Sequence, residues 1–168
     1  MAKREVSGGK TNACRALDRL NIRYELVPYE FDPDQLEAER VAEKVGLPAA
    51  QVWKTLCVRG DDRSSLFGLI PGDRELDLKL LAKVAGCRSV EPVAVKELQQ
   101  LTGYIRGGVT ALACKKPLPV FADASIMSHE MVSVSAGQRG LQIFLAPADY
   151  VRATQATLCA IAREKAAG

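Results

Sequence analysis

Two β-prone runs constrain this chain most: Val52-Trp53-Lys54-Thr55-Leu56-Cys57-Val58 and Leu66-Phe67-Gly68-Leu69-Ile70. Gly60-Asp61-Asp62-Arg63 separates them as a turn, and Pro71-Gly72 ends the second. Short apolar runs joined in this way pair as an antiparallel hairpin. A hairpin this apolar cannot stand alone in water, so further strands and helices must cover it.

Those further elements are legible around it. Thr11 or Asn12 can cap a first helix in which Ala13, Ala16, Leu17 and Leu20 recur at helical spacing, with Asn21 as its stop. Residues 22–27 alternate apolar and polar as a half-buried strand, and a polar loop, Phe31-Asp32-Pro33-Asp34, follows. A second helix is expected over about Leu36 to Val45, stopped by Gly46 and Pro48, and a third from the cap Asp77 through Val84, stopped by Gly86. Pro92 is expected to open a fourth helix, with Val95, Leu98 and Leu101 on one side. Strands follow at Pro119 to Ala122, Met131 to Ser135 and Leu141 to Leu145, with a loop from Asp123 to Glu130. Pro147 can start a last helix running to about Ala162. Strands and helices alternate irregularly, so the expected fold is mixed α/β: a curled, mixed sheet with helices packed around it.

The chain has 168 residues, 48% of them hydrophobic, enough for one domain with a sizeable core; no repeat, linker or boundary divides residues 1–168. Residues 1–9 lack periodicity and read as a flexible tail. A net charge of +3 is too small for a general nucleic-acid coat, so binding of RNA would need a local patch. No stretch approaches the roughly 20 apolar residues of a membrane span, and the N-terminus lacks a signal core, so a cytoplasmic protein is expected. The five cysteines (Cys14, Cys57, Cys87, Cys114, Cys159) are scattered without a C-x-x-C pair, which argues against disulfides and zinc. The single histidine, His129, leaves little room for a Cys-His or Ser-His machine.

Three stretches carry chemistry. In residues 103–116, GYIRGGVTALACKK, a β-prone run Tyr104-Ile105-Arg106 precedes the pair Gly107-Gly108. Such a pair lets a ligand approach bare main-chain N–H groups, and Arg106, Lys115 and Lys116 set cations nearby; a tight turn or bulge would use the same glycines. Lys54 interrupts an apolar strand. Facing solvent it would be an ordinary surface lysine, whereas on a concave face its ammonium would be desolvated and directed at a ligand. Ser135-Ala136-Gly137-Gln138-Arg139-Gly140 is a Gly-spaced connection carrying a hydroxyl and a cation, and equally a hairpin turn.

In order, Lys10-Thr11-Asn12-Ala13, Trp53-Lys54-Thr55-Leu56, residues 103–109, Lys115-Lys116 and residues 134–141 make the chain resemble the YbaK/EbsC family from about Lys10 to Ile161. These are free-standing editing proteins related to the insertion domain of prolyl-tRNA synthetases. The resemblance implies a partly barrel-like sheet and an aminoacyl-tRNA deacylase removing mischarged cysteine from tRNA(Pro), without a cofactor or metal. The family's essential lysine falls on Lys54 and its neighbouring threonine on Thr55. The glycine-rich backbone pocket falls on Gly107 and Gly108, the substrate-side serine on Ser135, and a pocket tyrosine on Tyr29. Arg106, Gly137 and Gln142 join the expected substrate contacts, and Arg139 the basic patch. Where some members carry an acidic residue after Arg-Gly-Leu this chain has Gln142, and the nearest residue to an aromatic that some relatives carry before the second helix is Leu36.

Members acting on cysteine are thought to let the substrate's own thiol attack its ester, a lyase-like cyclisation. Two other readings stay open: a sibling deacylase, for instance of alanyl-tRNA(Pro), using water, and a non-catalytic module binding tRNA or a synthetase. The expected partners are the acceptor end of an aminoacyl-tRNA and prolyl-tRNA synthetase, with no role for DNA or a membrane.

Overall fold

A computed structural model describes residues 10–166. The expected tail, residues 1–9, lies outside the described residues. In chain order the elements are α1 (Asn12–Arg19), β1 (Tyr24–Pro28), α2 (Ala38–Val45), β2 (Trp53–Gly60), β3 (Ser65–Pro71), β4 (Arg74–Leu76), α3 (Leu78–Ala85), β5 (Val90–Pro92) and α4 (Val95–Thr102). They continue with β6 (Val120–Asp123), β7 (Val132–Ser135), β8 (Leu141–Leu145), α5 (Pro147–Thr154), β9 (Thr157–Cys159) and β10 (Ala162–Glu164). Short 3-10 turns lie at Ala49–Gln51 and Ala124–Ser128. The caps work as their chemistry suggests: the Thr11 hydroxyl accepts from the Cys14 N–H and the Asp77 carboxylate from the Leu80 N–H.

The hairpin forms as expected, β2 pairing β3 from Trp53 opposite Pro71 to Arg59 opposite Ser65. It is the centre of a five-stranded sheet in the order β5-β2-β3-β6-β9, antiparallel on the β5 side and parallel from β3 through β6 to β9. Strands β1, β8 and β7 make an antiparallel sheet, and β4 pairs β10. Alternation along β2 divides the interior. Trp53 belongs to a cluster with Leu17, Leu69, Val134, Ile143 and Tyr150, whereas Val58 joins Leu66, Ile70, Leu76 and Leu81 on the other face.

The fold is mixed α/β, but the described strands form no closed barrel and fall into three sheets rather than one curled one. The β1-β8-β7 sheet reaches β2 only through one parallel bridge, Val52 to Ser133, and beyond Pro71 the chain turns away to pair β4 with β10. Residues 104–106 are not a strand, because no strand lies beside them; a turn closed by the Gly108 N–H on the Ile105 carbonyl (2.9 Å) follows instead. Pro92 closes β5 rather than opening α4, a place that suits a residue without an N–H on an edge strand. The last helix stops at Thr154, not near Ala162. Gln155 turns left-handed (φ 54°) and residues 157–159 run on as β9 beside β6.

One carboxylate anchors that ending. Asp123 accepts from the N–H groups of Ile161 (3.0 Å) and Ala162 (2.9 Å) through one oxygen, and from the Ser125 N–H (3.2 Å) and hydroxyl (2.5 Å) through the other. No described helix is long and apolar enough to cross a membrane.

Candidate functional site

Strand β2 is covered by β5 only from Val58 to Gly60, and the Val52–Ser133 bridge holds its other end. Between them the strand edge is uncovered, and a groove of about 760 Å³ runs along it. Its walls include Trp53, Lys54, Thr55, Arg106, Gly107 and Ser135. Tyr29 and Gln142 also line it. Seven of the residues expected from the sequence are therefore brought to one cavity: Tyr29, Lys54, Thr55, Arg106, Gly107, Ser135 and Gln142. Gly108, Gly137 and Arg139 are not among the lining residues, and Lys115 and Lys116 are exposed and do not line the groove either.

Lys54 sits opposite Ile70, on the face of β2 that carries Val58. Its side chain is half-buried, and its ammonium donates to the Arg74 carbonyl at 2.7 Å. Burial pulls its pKa below the usual 10.5, while the carboxylates of Glu75 and Asp73 pull it partly back. Thr55, one residue on, takes the opposite face.

The glycine pair divides its labour. Gly107 (φ 91°) faces the groove, and its N–H makes no hydrogen bond among the described residues. Gly108 is buried, its N–H is committed to Ile105, and a Cβ there would lie 3.2 Å from the Arg139 nitrogen and the Gln138 carbonyl carbon. A side chain would thus push apart the two loops that frame the site. Gly137 (φ 85°) plays the same part against an aromatic: a Cβ would lie 2.7 Å from Tyr104, whose hydroxyl donates to the Leu112 carbonyl at 2.6 Å. The Gly137 N–H in turn donates to the Ser135 hydroxyl (3.2 Å), which orients that hydroxyl at the groove wall.

Gln142 is buried, and its side-chain oxygen accepts from the Ser133 hydroxyl at 2.8 Å. It brings a neutral amide to the wall, not a charge. Cys57 also lines the groove, but burial pushes its thiol up to about 11, with Arg59 pulling weakly the other way, so it stays protonated near neutral pH. His129 lies edge-on to Trp53 at 6.3 Å between ring centroids and is not among the lining residues. No three His, Cys, Asp or Glu side chains among the described residues are grouped to hold a metal.

Sequence reasoning missed several contributors. Phe31 reads as part of a polar loop, yet its ring lies 3.3 Å from where a Gly107 Cβ would be, with Leu36 at 3.5 Å. A lone aromatic amid Asp and Pro was the available signal. Glu39 of α2 and Lys165 after β10 both line the groove and pair with each other, a contact between residues 126 apart that no local pattern announces.

Comparison with known proteins bears on this groove. The family model described as an aminoacyl-tRNA editing domain matches residues 32–153. The chain is 40% identical over 147 residues to a protein of Enterococcus faecalis provisionally named Cys-tRNA(Pro)/Cys-tRNA(Cys) deacylase EbsC, covering 88% of this chain and 89% of that one. It is 31% identical over 109 residues to a proline–tRNA ligase of Sulfurihydrogenibium sp., covering 65% of this chain but only 19% of the ligase. A solved structure provisionally described as a trans-editing enzyme for prolyl tRNA synthetase has the same fold, with a TM-score of 0.78 at 22% identity over 95% of this chain and 99% of that one.

Proposed function

Because this chain belongs to the aminoacyl-tRNA editing domain family, we propose that it is a trans-editing deacylase that releases cysteine wrongly attached to tRNA(Pro). One observation carries the reading: Lys54, half-buried, and the Gly107 turn wall the same groove, and the one thiol there is held protonated. Such a site can hold and polarise an ester but offers no activated thiol of its own, which suits a substrate that brings one.

In this reading the cysteinyl thiol gives up its proton and attacks its own ester carbonyl. The carbon–oxygen bond to the ribose breaks, the ribose oxygen takes up a proton, and a cyclic thiolactone leaves. Holding the reacting atoms together supplies much of the acceleration. The Gly107 N–H meets the developing oxyanion, a contact worth roughly 3 to 4 kcal/mol in other enzymes. Gly108 acts by fixing that turn against the Gln138-Arg139 backbone. Lys54 binds the ribose and terminal phosphate and eases departure of the ribose oxygen. Thr55, Ser135, Tyr29 and Gln142 shape the aminoacyl pocket, Gly137 holds Ser135 in place, and Arg106 with Arg139 meets the acceptor end.

The partner is the acceptor end of an aminoacyl-tRNA. An association with prolyl-tRNA synthetase is consistent with the partial likeness to such ligases. The test is a deacylation panel of tRNA(Pro) charged with cysteine, alanine or proline. Release of cysteine alone supports the proposal, release of alanine favours the sibling that uses water, and release of none leaves a binding module.

A further inference from the structure

Arg139 lies over an aromatic neighbour. Its guanidinium carbon is 4.9 Å from the centroid of the Phe31 ring. The Nε–H donates to the Arg106 carbonyl at 2.9 Å, which tethers the guanidinium there. Arg139 makes no ion pair among the described residues, and it is exposed, so part of its surface is free to meet a ligand. The pair also sits against the Gly107 turn: a Cβ there would be 3.3 Å from the Phe31 ring and 3.6 Å from Arg139 Cγ.

We propose that the Phe31–Arg139 stack is a seat for a purine nucleobase, the terminal adenine of the tRNA. The proposal rests on the deacylase reading only for its ligand. In an aminoacyl-tRNA the esterified ribose carries that adenine, so a carbonyl held at Gly107 brings the base to within one sugar of the turn. A guanidinium already stacked on an aromatic ring is a flat, weakly hydrated surface on which a base can lie. Nothing in the sequence joins Phe31 to Arg139, since they come from distant loops.

The test needs no deacylation. Binding of adenosine 5′-monophosphate and of ribose 5-phosphate is titrated by NMR against the wild type, Phe31→Leu and Arg139→Lys. The wild type should bind the nucleotide at least about tenfold more tightly than the sugar phosphate, in line with what stacking one base contributes. Both variants should bring the two ligands to within about threefold of each other. Arg139→Lys is the decisive one, because it keeps the charge at an exposed position and removes the plane. Equal binding of the two ligands by the wild type, or a gap that survives Arg139→Lys, would overturn the base seat. A protein that shows the gap yet deacylates no tRNA would leave the seat standing and sink the editing reading instead.

Discussion

The ammonium of Lys54 lies 2.7 Å from the carbonyl oxygen of Arg74, at the start of the strand beyond the Pro71-Gly72 turn. That contact holds a cation at the groove wall while burial works against its charge. Such a cation is costly to keep, which suits a functional site better than a structural one.

Lys54→Met should therefore separate activity from stability. Single-turnover release of cysteine from tRNA(Pro) is expected to fall by more than about a hundredfold, which corresponds to a loss of more than about 2.7 kcal/mol of transition-state binding. Burial lowers the folded pKa, so the protonated form is disfavoured by folding at neutral pH, and the penalty is relieved progressively as pH rises through the lowered folded pKa, completely above the unfolded value of about 10.5. Removing the charge should leave the melting temperature at pH 7 unchanged or higher. A clear drop in melting temperature would mean that Lys54 holds the fold together.

The same shift gives a pH profile. If release requires the protonated ammonium, the enzymatic rate, with the uncatalysed rate subtracted, should fall as pH rises through the lowered pKa. The decline should be centred below 10.5. A rate that keeps rising through that range would detach Lys54 from the rate-limiting step.

Gly137→Ala should be worse than Gly46→Ala. Both glycines have positive φ, 85° and 77°, but an added Cβ meets Tyr104 at 2.7 Å at the first and nothing within 4 Å at the second. Thermal unfolding should show a loss of more than about 1 kcal/mol for Gly137→Ala and less for Gly46→Ala. Equal losses would show that the Tyr104 ring yields without cost.

Asp123→Asn should destabilise by about 1 to 3 kcal/mol, because an amide NH₂ would face the Ser125 N–H that a carboxylate oxygen now accepts. Burial pushes the Asp123 carboxyl up, but the Ser125 hydroxyl and the N–H groups of Ile161, Ala162 and Ser125 together hold it below 3.8. Its contribution is therefore complete above the unfolded pKa and lost as pH falls through the folded one. The stability gap between wild type and Asp123→Asn should narrow below about pH 4. A gap unchanged in acid would rule out the charge as its source.

The central hairpin was legible because apolar β-prone residues and turn residues are local signals, whereas its register, with Lys54 opposite Ile70 and Arg59 opposite Ser65, was not. The residues that share the groove were legible through family motifs, not through spacing alone. What stayed hidden is set by distance along the chain. Lys165 pairing with Glu39, Arg139 stacking on Phe31, and the short strands β4, β9 and β10 all depend on partners far away in sequence. Gly107 and Gly108 looked equivalent, yet a single turn hydrogen bond commits one N–H and leaves the other facing the groove.

The most direct test of substrate-thiol attack compares release of cysteine and of serine from tRNA(Pro) under single-turnover conditions. The two amino acids are close in size, so a pocket that holds one holds the other. Near neutral pH only the thiol has an appreciable ionised fraction, and it is the stronger nucleophile. The account predicts that cysteine is released at least about a hundredfold faster than serine; equal rates would mean that water attacks both esters, and would contradict it.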